Sequence, residues 1–314
     1  MKKGLFAVLM LILAFSGGIS CLGGSNKIQY QLRLEKGKTY TIRVVTDQKI
    51  SQTVQGQQQD IKQTIEIKYT FDVEDVDSDG NTTVKVTYQS IRFSQVGPRG
   101  EVEYDSSNPS PNIPPEATGL ATLVGKSITV KLTPNGQVKE IKGVDEMIAS
   151  MIKELNIPED MKSSMEKSLK EQFGDEALKE MMESNVIEYP KKSVASGDTW
   201  SNKVTVSKGF PMVLENTWKL KERKNGISVI EVSSTIESNT EAEPIKIDSM
   251  KISYKLSGWQ KGTMEVQEAT GLTKQGQLNQ EFSGELRVEG APQTSKVQTW
   301  PIKVESRISF ELLE

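Results

Sequence analysis

The 314-residue sequence contains no histidine and one cysteine, Cys21. Without histidine, the commonest general base and the imidazole metal ligand are both missing. With a single cysteine there is no disulfide framework and no Cys-rich metal site. Carboxylate catalysis, Ser-Lys pairs and bound divalent ions remain chemically open, but no motif signals any of them, so a non-catalytic protein is expected. Aromatic residues are also scarce, at 6%. Trp200, Trp218, Trp259 and Trp300 lie in or beside strand patterns, where packing is their ordinary use, and a clustered sugar-binding platform is not in view. The net charge is only −3, from 39 basic and 42 acidic residues. No basic block marks a nucleic-acid surface.

Long apolar runs are missing too, with one exception at the start. Lys2 and Lys3 precede LFAVLMLILAF (Leu5 to Phe15), and small residues (Ser16, Gly17, Gly18, Ser20) lead to Cys21. This is the pattern of an export signal over residues 1–20. Its apolar centre is well short of the roughly 20 residues a spanning helix needs. Gly18-Ile19-Ser20-Cys21 resembles the bacterial lipobox, with Gly standing where Leu is usual, three residues before the cysteine. The alternative is ordinary cleavage with Cys21 left over. A lone thiol in an exported chain is a liability unless it is used, and lipid attachment uses it. Two or more acyl chains would anchor the protein stably. Residues 21–26 then serve as lipidated cysteine and flexible tether. The expected location is the outer side of the cytoplasmic membrane or the outer membrane. Losing the leader leaves 37 basic residues (39 less Lys2 and Lys3) against 42 acidic.

The rest of the chain alternates apolar and polar side chains with period two. In KQTIEIKYTFDV, Ile65, Ile67, Tyr69, Phe71 and Val73 share one face. The same pattern runs through Val84–Tyr88, Ile128–Leu132, Met250–Leu256 and Ile302–Leu312, as half-buried antiparallel strands require. Three echoes recur in the same order. GKTY (from Gly37) matches GDTW (from Gly197), TFDVEDVDSDGNTTVKV (from Thr70) matches TWKLKERKNGISVIEV (from Thr217), and GKSITVKLTPNG (from Gly125) matches GTMEVQEATG (from Gly262). They imply two related antiparallel β lobes, 27–143 and 187–314, forming one or more curved sheets. Between them, 144–186 reads as an amphipathic helical insert: one helix from Val144, a second after Pro158, and a third from Asp175 to about Glu183. The expected class is mainly β (α+β). Ser51 to Gln63 reads as an extended hairpin tip, and Ser106 to Gly119 as a proline-rich loop.

Two constellations could carry binding. Asp75, Asp77 and Asp79, followed by Gly80, copy the first half of a calcium loop. The closing glutamate is absent, and Asp-Gly is also the favoured dipeptide of a hairpin turn. The second lobe makes the corresponding turn, KERKNG (from Lys221), with no aspartate. The insert holds six of the chain's eleven methionines, among them Met147, Met151, Met161 and Met165. Flexible thioether stripes suit an apolar ligand or lipid, though packing on the sheet is their more ordinary explanation.

YDSS (from Tyr104), LTPNGQVKEIKGVDEM (from Leu132) and YPKKSVASGDTW (from Tyr189), behind a lipobox, together resemble a family of uncharacterised lipoproteins carrying a domain of unknown function. That resemblance implies an exported, anchored, β-rich protein and supplies no catalytic residues. The architecture is also similar to lipoprotein carriers in which helices close a curved sheet. The expectation is an anchored lipoprotein that binds an apolar ligand or lipid under its Met-rich helices. The alternative is a non-catalytic cell-envelope scaffold or protein-partner module.

Overall fold

In the computed structural model, residues 18, 19 and 27–313 are described, apart from 55, 99, 111, 155–157, 186, 209–210, 248–249 and 291–296. Cys21, the expected tether and all of the expected leader except Gly18 and Ile19 lie outside the described residues. No helix among the described residues is long and apolar enough to cross a membrane.

Strands dominate because period two puts every second side chain on one face. In chain order they are β1 (Gly18–Ile19), β2 (Tyr30–Gln31), β3 (Thr39–Val54), β4 (Gln57–Val76), β5 (Thr82–Gly97), β6 (Gly100–Asp105), β7 (Ser127–Leu132), β8 (Val138–Lys142), β9 (Thr199–Val206), β10 (Met212–Lys224), β11 (Ile227–Ser238), β12 (Ile245–Ile247), β13 (Met250–Gln267), β14 (Thr273–Glu289) and β15 (Gln298–Leu313). The helices are α1 (Thr118–Ala121), α2 (Val144–Glu154), α3 (Glu159–Phe173) and α4 (Asp175–Asn185). The protein is mainly β, with its helical insert between strands.

Thirteen strands form one antiparallel sheet in the order β8-β7-β5-β4-β3-β15-β14-β13-β11-β10-β9, with β6 beside β5 and β12 beside β13. Both expected lobes therefore contribute to a single sheet. Its last strand, β15, sits between β3 and β14 and joins the two segments (Leu313 pairs with Thr41). The echoing segments keep the same spatial order, β3-β4-β5-β7-β8 in one half and β9-β10-β11-β13-β14 in the other. They also make the same bracket. Gly37 N–H donates to Val73 O (2.8 Å) and Val73 N–H to Lys38 O (2.9 Å). Gly197 N–H donates to Leu220 O (2.7 Å) and Leu220 N–H to Asp198 O (3.0 Å). Both glycines hold positive φ, +83° and +97°.

The sheet curls until α4 packs against β8 and β9, the outermost strands of its two halves. Inside lies one continuous apolar core drawing on nearly every strand: Val44, Phe71, Val86, Val130, Leu220, Ile230, Met264 and Phe310. Each such side chain contributes about 1.5–3 kcal/mol on burial. Helix α2 adds Val144, Ile148 and Ile152 at four-residue spacing, one face of a 3.6-residue helix. Its first backbone N–H, at Val144, is capped from outside the helix by the Asp175 carboxylate (2.8 Å). Helix α3 starts after Pro158 and stops at Gly174, as the sequence pattern implies.

Residues 51–63 form the extended hairpin tip that the pattern implies: β3 runs to Val54, β4 restarts at Gln57, and Ile50 and Ile61 pair directly across the hairpin. One feature departs from the sequence pattern. It is residues 28–34, which close one end of the curl. Ile28, Tyr30, Leu32 and Leu34 are buried in the core, and Tyr30 stacks on Tyr189 at 5.1 Å. Leu32 N–H donates to Pro134 O (2.5 Å) and Arg33 N–H to Thr270 O (3.2 Å). Those acceptors lie in the β7–β8 and β13–β14 turns, so one segment ties both halves together.

Candidate functional site

Strand register places one polar side chain at the same level on the inner face of eight consecutive strands. The row runs Gln63 (β4), Gln48 (β3), Ser306 (β15), Gln280 (β14), Gln260 (β13), Ser234 (β11), Asn216 (β10) and Asn202 (β9), each directly opposite the next. All eight are uncharged. Gln63 Nε2 donates to Gln48 Oε1 (3.4 Å), and Gln48 Nε2 to Ser306 Oγ (3.3 Å). Gln280 donates to Gln260. Asn216 Nδ2 donates to Asn202 Oδ1 (3.0 Å), and Asn202 Nδ2 to Glu188 Oε2 (3.0 Å). Ser234 is only 3% exposed and its hydroxyl has no hydrogen-bond partner. A paired buried hydrogen bond nets about 0.5–1.5 kcal/mol, and an unpaired group costs more than that. Matched apolar side chains would fold about as well, so stability alone does not account for the row.

The row separates two apolar zones. On its inner side lies the packed core, with Thr46, Ile308, Leu278, Val232 and Trp218 at the next level. Trp200 and Trp218 stack there at 6.2 Å. On its outer side the same face carries Val304, Ile302 and Trp300 on β15, Leu286 on β14, and Leu256 and Tyr254 on β13. These six are half-buried. Next to the row this zone is packed as well: Val206, Leu214, Ile236 and Phe282 form a buried cluster against which Val304 packs, and the other five lie further out. Tyr254 is oriented by donating its hydroxyl to Pro211 O (3.0 Å), and burial pushes its ionisation far above the ordinary tyrosine range. Helix α3 lies beside β12, the short strand at this end of β13.

The four methionines singled out in the sequence do not line one surface. Met147 and Met151 pack against the cluster of Ile65, Tyr88, Phe93 and Leu120, and Met165 against the main core. Met161 is 52% exposed. Met147, Met151 and Met165 pack between helix and sheet, and the half-buried apolar wall lies on the strands.

The aspartates also go separate ways. Asp77 Oδ1 accepts from the backbone N–H groups of Asp79 (3.0 Å) and Asn81 (2.9 Å), and Oδ2 pairs with Lys131 (2.9 Å). Hydrogen bonds from the Asn81 side chain, then the Lys131 ammonium, hold its carboxyl well below the usual range. Asp75 is taken by Lys36 at 2.8 Å. Gly80, at φ +78°, completes a hairpin turn. No group of three or more metal-ligating side chains occurs among the described residues. Millimolar calcium is therefore expected to leave the melting temperature unchanged. A calcium-dependent rise that Asp77→Asn removes would place a cation in this turn.

On the convex face, Arg43, Glu265, Gln275 and Glu311 border a groove of about 350 Å³. Arg43 bonds Glu66 at 2.7 Å and Glu311 at 3.5 Å, so its charge is already used.

Residues 79–273 match the model of the Family of unknown function (DUF6263). The chain belongs to this family. No curated protein matches this family member at a significant level. Among solved structures, lipovitellin, studied for its lipid–protein interactions, is 9% identical with a TM-score of 0.48; the alignment covers 90% of this chain and 26% of that one. The chain thus spans about a quarter of lipovitellin's length. OccK7 (OpdD) of Pseudomonas aeruginosa is 7% identical with a TM-score of 0.23, over 88% of this chain and 99% of its own. The COG4313 outer membrane channel of Pseudomonas putida F1 is 8% identical with a TM-score of 0.25, over 90% and 97%.

Proposed function

We propose that this protein is an exported, non-catalytic lipoprotein, anchored through Cys21, that holds an apolar ligand or lipid inside its curled sheet. The observation that carries this is the half-buried apolar wall of Ile302, Trp300, Leu286, Leu256 and Tyr254, beyond the packed cluster of Phe282 and Ile236. An inner face that is packed at depth and apolar but only half-buried at its outer end suits a chain-like ligand. The leader and Cys21 supply the envelope setting. Glu268, a buried carboxylate, is committed to Arg223 (2.7 Å) and is not free to act as a general base.

Two measurements test the proposal. Titration with N-phenylnaphthylamine should give saturable fluorescence enhancement, and Ile302→Asp should weaken it about tenfold by placing a charge on the wall. Enhancement that never saturates, or that the substitution leaves alone, would count against interior binding. Radiolabelled palmitate should enter the wild-type protein in a bacterial host and be absent from Cys21→Ser. Equal labelling of both would remove the anchor from the account.

A further inference from the structure

We infer that the anchored protein turns the end bearing its apolar wall away from the membrane that holds it, and takes its lipid from a bilayer in trans. This rests on the lipid-binding reading above and on the anchor at Cys21, and adds the direction from which the lipid arrives.

Chain length decides the direction. Cys21 precedes Ile28 by seven residues, a reach of at most about 25 Å and a typical span of roughly 15 Å. Ile28 is fastened at the closed end by two backbone bonds with Val194 (2.7 and 2.8 Å), and Leu32 and Arg33 are tied to Pro134 and Thr270. In the uncleaved chain Ile19 pairs with Tyr30, so the backbone two residues before Cys21 also lies here. The wall stands at the other end of the same strands. Register puts Leu220, Ile230, Met264 and Gly276 at one level, beside the Gly197 bracket and three residues past Val194. From Gly276, β14 runs ten residues to Leu286 and thirteen to its end at Glu289, about 33 and 43 Å along the strand. Even a barrel-like tilt of about 35–45° leaves roughly 30–35 Å between the two ends. The tether is too short to set the wall end down on the anchoring membrane.

The rim itself has the chemistry of a bilayer contact. Trp300 and Tyr254 flank Leu286 there, each directly opposite it on a neighbouring strand. On the other face of β13, Lys251 and Lys255 are exposed. Amphipathic aromatics beside long basic side chains are the residues enriched where protein meets a membrane–water interface. Acyl chains entering at this rim would lie along Leu256 and Ile302 and stop at the packed cluster of Phe282 and Ile236, so the polar row stays covered.

The test uses the full lipoprotein reconstituted in phosphatidylcholine vesicles. A photoactivatable phosphatidylcholine is placed either in those vesicles or in a second, protein-free population, and crosslinks are mapped by peptide mass spectrometry before the populations exchange lipid. Lipid in the second population should label β13–β15 peptides at least about tenfold more than lipid in the anchoring vesicles, since a tether that cannot span two sites gives an effective concentration near zero. Inserting about 20 Gly/Ser residues after Gly24 extends the reach to about 90 Å and the typical span to roughly 29 Å. That variant should melt with wild type and be labelled several-fold more from the anchoring vesicles. Equal labelling from both populations, heavier labelling from the anchoring one, or a longer tether that changes nothing would overturn the direction and leave lipid binding standing. If neither population labels the wall, the lipid-binding reading falls as well. If the protein does not float with its vesicles, the anchor falls and the direction with it.

Discussion

Gly262→Ala is expected to lower the melting temperature by roughly 6–12 °C, from a cost of about 3 kcal/mol at 2–4 °C per kcal/mol for a chain of this size. The cause is the tight curl of the sheet at β13 and β14. A Cβ at Gly262 would collide with the carbonyl oxygen of Gln277 and lie 2.8 Å from the Leu278 Cα. Both obstacles are backbone of the neighbouring strand, so no side-chain rotation relieves them. Gly258, two steps along the same face, meets Phe282 Cα at the same 2.8 Å. The control is Gly119→Ala, where a Cβ meets nothing within 4 Å. It lies in α1 and should be neutral or slightly stabilising. If the Gly262 variant melts with wild type in circular dichroism, the close strand approach is wrong.

Arg223→Met should cost about 3 kcal/mol at neutral pH, measured by urea unfolding. Glu268 is 8% exposed and held by Arg223 Nε at 2.7 Å, a second Arg223 nitrogen at 2.9 Å and Ser228 Oγ at 2.6 Å. Removing the arginine leaves a carboxylate buried with one hydroxyl, and such broken pairs typically lose 3–5 kcal/mol. The lower end applies because the arginine side chain is 21% exposed. Adding Glu268→Gln to Arg223→Met should recover much of the loss, since a neutral amide is cheaper to bury.

Acid should bring the two proteins together. In wild type, burial pushes the Glu268 carboxyl up, but the Arg223 and Ser228 hydrogen bonds outweigh it and the group sits below its ordinary value. A depressed folded value gives stability that is full above the unfolded value of about 4.3 and is lost as pH falls through the folded one. Without Arg223 burial wins, the folded value rises, and protonation favours the folded variant. The gap between wild type and variant should therefore shrink between pH 7 and pH 4. A gap that stays constant would mean the pair is not what Arg223 contributes.

Much of the architecture is legible in the chain because strand periodicity is local. Ile65–Val73 shows its buried face in nine residues, and Val144, Ile148 and Ile152 announce α2. Register is not local, and the candidate site depends on register. Each strand taken singly shows one polar residue inside an apolar alternation: Gln48 between Thr46 and Ile50, Gln63 between Ile61 and Ile65, Ser306 between Val304 and Ile308, Gln280 between Leu278 and Phe282. Any one reads as an ordinary interruption. Only pairing across eight strands turns them into a row. The closing role of residues 28–34 was hidden for the same reason, since its partners Pro134 and Thr270 lie more than 100 and 200 residues away. The methionines and aspartates drew the eye by composition. In the structure Met147, Met151 and Met165 pack beside the helices, Met161 is exposed, and Asp77 shapes a turn.

The central claim is that the inner face holds lipid, and native mass spectrometry tests it most directly. The chain from residue 22, which keeps every buried residue of the core from Ile28 onward, would be purified without detergent, weighed intact and then extracted with organic solvent. The account predicts a co-purifying lipid of defined mass, lost on extraction and regained on incubation with a lipid extract. A clean unliganded mass that the extract leaves unchanged would contradict it.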